Sequence, residues 1–144
     1  RRYLAVVNGI PMAPEGRVEA SLARSVHDRK KIAIVSEGRG KRAVTHWIRR
    51  SVGRDSALVE CRLETGRTHQ VRVHMASLGH SLVGDPVYGR NNKTVAAVCK
   101  ELNFKRQALH AATLGFTHPV TKHRLSFESP VPKDMQELFK ALGV

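Results

Sequence analysis

LETGRTHQVRVHMASLGHSLVGDPVY, from Leu63 to Tyr88, changes its hydrophobic period once, and that change orders the rest of the chain. Upstream of it, SALVECRLET (Ser56 to Thr65) sets Leu58, Glu60 and Arg62 against Val59, Cys61 and Leu63, the period of two expected of a strand with unlike faces. Gly66 breaks the strand. Beyond it Val71, Met75 and Leu78 fall on one face of a helix begun near Thr68, and Gly79 is its stop. A glycine between strand and helix lets the backbone approach a ligand, and a first helical turn offers free N–H groups and positive dipole character to an anion. Arg67 and His69 stand at that junction, with Arg72 about one turn from His69.

Outward from this point the first half reads as strands. YLAVV (Tyr3 to Val7) is a short apolar run, RVEASLAR puts Val18, Ala20 and Leu22 on one face, and KIAIV (Lys31 to Val35) follows. EGRGKR, Glu37 to Arg42, is polar and glycine-rich and is expected to be an exposed loop carrying Arg39, Lys41 and Arg42 toward RNA or simply toward water. AVTHWIRRSV and SALVECRLET form an antiparallel pair around Gly53 to Asp55. In the second half, Thr94 to Leu102 is helical, ALHAATLGFTHP and HRLSFES make a hairpin across Val120 to Lys122, and Pro132 opens a helix with Met135, Leu138, Phe139 and Leu142 inward. The expected class is α+β: a mostly antiparallel or mixed sheet with a few helices, in one domain over residues 1–144.

The 144 residues are 41% hydrophobic, enough for a core, yet carry 25 Lys and Arg against 12 Asp and Glu. A net charge of +13 points to a polyanionic partner, either nucleic acid or an anionic membrane, or else to a well-solvated basic surface. Cys61 and Cys99 form no CxxC pair, so reduced, buried thiols are expected rather than a disulfide framework or a zinc ribbon. No apolar run approaches the roughly 20 residues of a membrane span, and no signal-peptide pattern opens the chain, so the expected location is cytoplasmic.

An arginine on a partly buried helix needs an acceptor. Arg72 therefore either holds a catalytic carboxylate ionised, with Arg67 and His69 near RNA phosphate or an active-site neighbour, or it makes a structural ion pair with the histidines at the surface. His69 and His74 are five apart, without the i, i+4 spacing of a zinc motif, and no metal is expected. Tyr88 is expected to pack the GDPVYG loop against the sheet, and Trp47 to be core or half-buried.

LETGRTHQVRVHM followed by LGHSLVGDPVYG resembles the signature of the RluA-type pseudouridine synthases, and YLAVVNG, RQALHA (Arg106 to Ala111), His118-Pro119 and SPVPKDM resemble that family as well. The resemblance implies a pseudouridine synthase fold, isomerisation of uridine to pseudouridine in RNA (ribosomal in preference to transfer RNA), no organic cofactor, and extrusion of the target base from its stack. It implies that Tyr3 is the tyrosine that stacks on the uracil and assists removal of the C5 proton, and that Arg72 is the basic partner of an aspartate nucleophile. An apolar residue near the base is implied from the later strands.

The family's HRLDxxTSG-like nucleophile motif is absent. Asp28 lies in a charged patch, Asp55 in a turn, Asp85 in the GDPVYG loop and Asp134 in a first helical turn, and none reads as a nucleophile. The expectation is accordingly the C-terminal portion of a catalytic domain, inactive alone, with exposed sheet edges where its front part is missing. A noncatalytic basic RNA-binding module and a ribosomal or structural basic protein are the alternatives, and the oligomeric state is left open.

Overall fold

The computed structural model describes residues 1–144, apart from the side chains at positions 114 and 116. Seven strands, β1 (Arg2–Asn8), β2 (Glu15–Arg24), β3 (Ile32–Val35), β4 (Lys41–Gly53), β5 (Ser56–Leu63), β6 (Leu109–Thr117) and β7 (Arg124–Glu128), form one antiparallel sheet in the order β3-β2-β4-β5-β1-β6-β7. Three helices, α1 (Gln70–Ser77), α2 (Lys93–Leu102) and α3 (Lys133–Leu142), cover it. The α+β reading holds, including each expected hairpin.

The alternation read from the sequence sorts side chains to two faces. Ala5 and Val7 of β1 with Val59 and Cys61 of β5 meet Val71 and Met75 of α1 on one face. Val6 of β1 meets Val95 and Val98 of α2 and Met135, Leu138 and Leu142 of α3 on the other. Because β1 is covered on both faces, its apolar residues run without interruption, as in any doubly buried strand. Truncating a fully buried Met135 or Leu138 to alanine would cost about 2–5 kcal/mol.

β1 is hydrogen-bonded to β5 and β6, and the open edges of the sheet are the short β3 and β7. Two expectations are corrected. The loop expected from Glu37 to Arg42 ends early, because Lys41 and Arg42 already pair with Leu22 and Ser21 of β2. Leu78 is 41% exposed rather than part of the buried stripe, since it is the C-cap of α1 and Gly79 turns the chain at φ +84°. Among the described residues no helix is long and apolar enough to cross a membrane.

Candidate active site

At the end of β5, Thr65 uses its hydroxyl twice, accepting from the Val44 N–H (3.0 Å) and donating to the Gln70 side-chain oxygen (2.7 Å). That oxygen also accepts from the Arg67 N–H, while the Gln70 amide donates to the Val44 carbonyl and the Thr45 hydroxyl, each at 2.9 Å. A glutamine 2% exposed is thus fully satisfied, and it bolts the strand-to-helix junction to β4. His69 precedes the helix at φ 56° and ψ 19°, so α1 begins at Gln70 rather than near Thr68. This left-handed residue turns the chain sharply and sets its ring apart from the helix face.

Arg72 projects from α1 into a buried fork. Its Nε and Nη2 donate to the two carboxylate oxygens of Asp85, each at 2.9 Å, and the pair is almost wholly removed from water. Asp85 Oδ1 also accepts from the Val87 and Tyr88 backbone N–H groups. Burial alone would raise the Asp85 carboxyl, but the guanidinium and the two N–H donors outweigh it and hold it below the usual carboxylate range. The guanidinium carbon lies 4.9 Å from the centre of the Tyr88 ring, and the Tyr88 hydroxyl reaches both His69 Nδ1 (2.6 Å) and the Ile32 N–H (2.9 Å). The GDPVY loop is therefore clamped to α1 and to β3. Tyr88 packs that loop as expected, and it also belongs to the polar constellation.

Tyr3, Arg67, His69 and Arg72 converge on one cavity of about 240 Å³, with Leu63, Gln70, Val71, Gln107 and Leu109 completing its wall. Tyr3 reaches it by the ordinary alternation of β1, on the same face as Ala5 and Val7 toward α1, while the register shift against β6 leaves its extra residue on β6. Leu109 on β6 gives the cavity an apolar wall residue from the later strands. Gln107 lies within the RQALHA stretch, but no periodicity singles it out. Burial, followed by the charge of Arg72 and, more weakly, of Arg24 against the opposing Asp85, pushes His69 below an ordinary imidazole and so favours the neutral ring.

A second groove of about 460 Å³ shares Arg67 with this cavity and adds Arg24, Lys41, Gly40, Gly66 and Thr68. Arg67 is steadied by donating its Nε–H to the Arg42 carbonyl (2.9 Å), whereas the Arg42 guanidinium turns to Glu19 at 3.4 Å. Arg39 sits exposed in the turn before β4 and lines neither space. Among the described residues no group of three His, Cys, Asp or Glu is placed to hold a metal.

Arg72 takes the structural ion pair that the sequence left open, with Asp85 as its partner; the fork uses Nε and Nη2, Nη1 has no hydrogen-bond partner among the described residues, and Arg72 lines the cavity. Asp85 was the missed residue. The signal was present, since a buried arginine demands an acceptor, but nothing in the spacing of residues 72 and 85 named it. The other aspartates are engaged outside the cavity: Asp28 caps the Lys30 N–H, Asp55 accepts from the Thr94 hydroxyl, and Asp134 pairs with Arg106 at 2.8 Å.

The family model for RNA pseudouridylate synthase matches residues 1–77, which include Tyr3, Arg67, His69 and Arg72. The chain belongs to this family. Among relatives of the RNA pseudouridylate synthase family, ribosomal large subunit pseudouridine synthase D of Zymomonas mobilis is 58% identical over the whole chain, which covers 45% of that protein. An uncharacterized RNA pseudouridine synthase of Bacillus subtilis is 44% identical over 99% of the chain, covering 44% of its length. Human RNA Pseudouridylate Synthase Domain Containing 1 superposes with a TM-score of 0.71 at 26% identity, over 90% of this chain and 53% of that one. Human RNA Pseudouridylate Synthase Domain Containing 4 has a TM-score of 0.73 at 24% identity, over 99% and 61%, and shows the shared fold. The chain thus spans about half the length of the relatives it matches.

Proposed function

We propose that residues 1–144 are the C-terminal portion of a catalytic domain that isomerises uridine to pseudouridine in RNA, with large-subunit ribosomal RNA preferred over transfer RNA. The observation that carries this is the convergence of Tyr3 and Arg72, from a strand and a helix far apart in sequence, on one cavity. Isomerisation breaks the N1–C1′ bond, forms C5–C1′, removes the C5 proton and returns one to N1, so it balances without oxidant or cofactor. It needs a carboxylate nucleophile, a surface that keeps the detached base and a modest base for the C5 proton.

In this reading the Tyr3 ring and Leu109 hold the base, and the Tyr3 phenol assists removal of the C5 proton. Asp85 keeps the Arg72 guanidinium fixed, and Nη1 is presented to a nucleophilic carboxylate supplied by sequence outside this chain, holding it ionised in a dry pocket. The basic groove beside the cavity, with Lys41 and Arg67, takes the neighbouring phosphates, and Arg42 and Arg39 extend that surface. The +13 charge supplies the nonspecific part of the attraction.

The test is tritium release from RNA labelled at uridine C5, comparing this chain with the full-length protein. Release by the full-length protein alone is the expected result. Binding by both without release from ribosomal or transfer RNA would overturn the synthase reading and leave a basic RNA-binding module.

A further inference from the structure

The Tyr88 hydroxyl has one proton and two neighbours. It accepts from the Ile32 backbone N–H at 2.9 Å, a donor that cannot reverse. Its own O–H then has His69 Nδ1, at 2.6 Å, as its acceptor among the described residues. Were Nδ1 protonated instead, two donors would point at one oxygen and the phenol proton would have no acceptor there, at a cost for a half-buried group. The ring edge bearing Nε2 lies away from Tyr88, and His69 lines the cavity that holds Tyr3 and Arg72.

We propose that Tyr88 is a positioning residue that fixes His69 in its Nε2–H form, so that the cavity presents a fixed N–H donor that selects uracil, whose 4-carbonyl accepts, over cytosine, whose 4-amino group cannot. This rests on the synthase reading for the nature of the ligand but not for the state of the ring. The groups facing His69 agree with a neutral imidazole: Arg72 from α1, Arg24 from β2, Arg67 from the junction and Tyr3 from β1 bring no acidic group, and the one carboxylate nearby, Asp85, is committed to Arg72. The arrangement also ties recognition to the loop, since the same tyrosine ring lies against the Arg72 guanidinium.

Long-range nitrogen–proton correlation spectra of isotope-labelled histidine read the tautomer directly. At neutral pH, His69 is expected to show a pyrrole-like Nε2 and a pyridine-like Nδ1. Tyr88→Phe keeps the ring against Arg72 but removes the hydroxyl, and should draw the two nitrogen shifts toward each other. A wild-type ring protonated on Nδ1, or shifts unmoved in Tyr88→Phe, overturns the proposal whether or not the protein is a synthase. The second arm uses the full-length protein and RNA carrying uridine or cytidine at the target position. A preference for uridine of about tenfold, the scale of one buried unpaired donor, should fall to about twofold or less in Tyr88→Phe. It should survive in His69→Gln, whose amide N–H reaches a similar position, and fall in His69→Asn, which tolerates the left-handed backbone but is too short. Equal binding of both RNAs by the wild type, or an unchanged preference in Tyr88→Phe and His69→Asn, sinks the specificity claim.

Discussion

Asp85→Asn is the substitution that most directly tests the buried fork. The carboxylate accepts from Arg72 Nε and Nη2 and from the N–H groups of Val87 and Tyr88, so both oxygens are occupied. An asparagine keeps one acceptor and turns an N–H₂ group toward donors, leaving the guanidinium without its counter-charge. Removing one partner of a buried pair costs about 3–5 kcal/mol. The Tyr88 ring still faces Arg72, and Arg72 keeps a slight exposure at the cavity, which places the loss at about 3 kcal/mol, the low end of that range. With a urea slope of about 2 kcal/mol per molar, the unfolding midpoint should fall by about 1.5 M at neutral pH. The sign of the pH dependence follows from the depressed folded-state carboxyl. Its stabilisation is complete above the unfolded value, about 3.9, and disappears as pH drops through the folded one. The gap between wild type and variant should therefore be full at pH 7 and narrow below about pH 4. A midpoint shift under about 0.5 M at neutral pH would refute the fork as a stabilising element.

Other outcomes follow from the same geometry. Arg72→Lys in the full-length protein should lower turnover about 10–100-fold with RNA affinity little changed, because an ammonium cannot make the two-pronged contact and still serve a second carboxylate; wild-type rates would refute the role of Nη1. Alanine at Lys41 and Arg67 together should weaken binding to many RNAs alike and reduce the salt slope by about 0.7–0.9 per lost phosphate contact, and an unchanged slope would remove the groove from the RNA path. Cys61 is fully buried, and burial with the neighbouring Glu60 pushes its thiol up to about 12. It should resist a thiol reagent in the folded protein and react only after denaturation, so fast labelling of Cys61 in native protein would contradict the central position of β5.

The elements were legible because each is written in local periodicity. The alternation of Leu58 to Leu63, the spacing of Val71 and Met75, and the stripe of Met135, Leu138 and Leu142 all became buried faces. What periodicity cannot carry is which strand lies beside which. Tyr3 faces Cys61 across one ladder and Ala111 across the other, so the tyrosine enters the site only because β1 is inserted between β5 and β6, elements more than fifty residues away in the first case and more than a hundred in the second. The family resemblance supplied the pairing of Tyr3 with Arg72 that the pattern could not. Neither route named Asp85, for a physical reason. A turn or loop explanation is sufficient for an aspartate before proline, and sequence alone shows no surplus of acceptors around it, whereas the fold brings Arg72 and two backbone donors to the same carboxylate. The demand was visible at Arg72 and the supply was visible at Asp85, but only the packing of the GDPVY loop on α1 joins them. The loop also fixes the orientation of the arginine: Asp85 takes the one edge of the guanidinium that carries Nε and Nη2, so the way the remaining edge is turned is set by a residue outside the helix that bears Arg72.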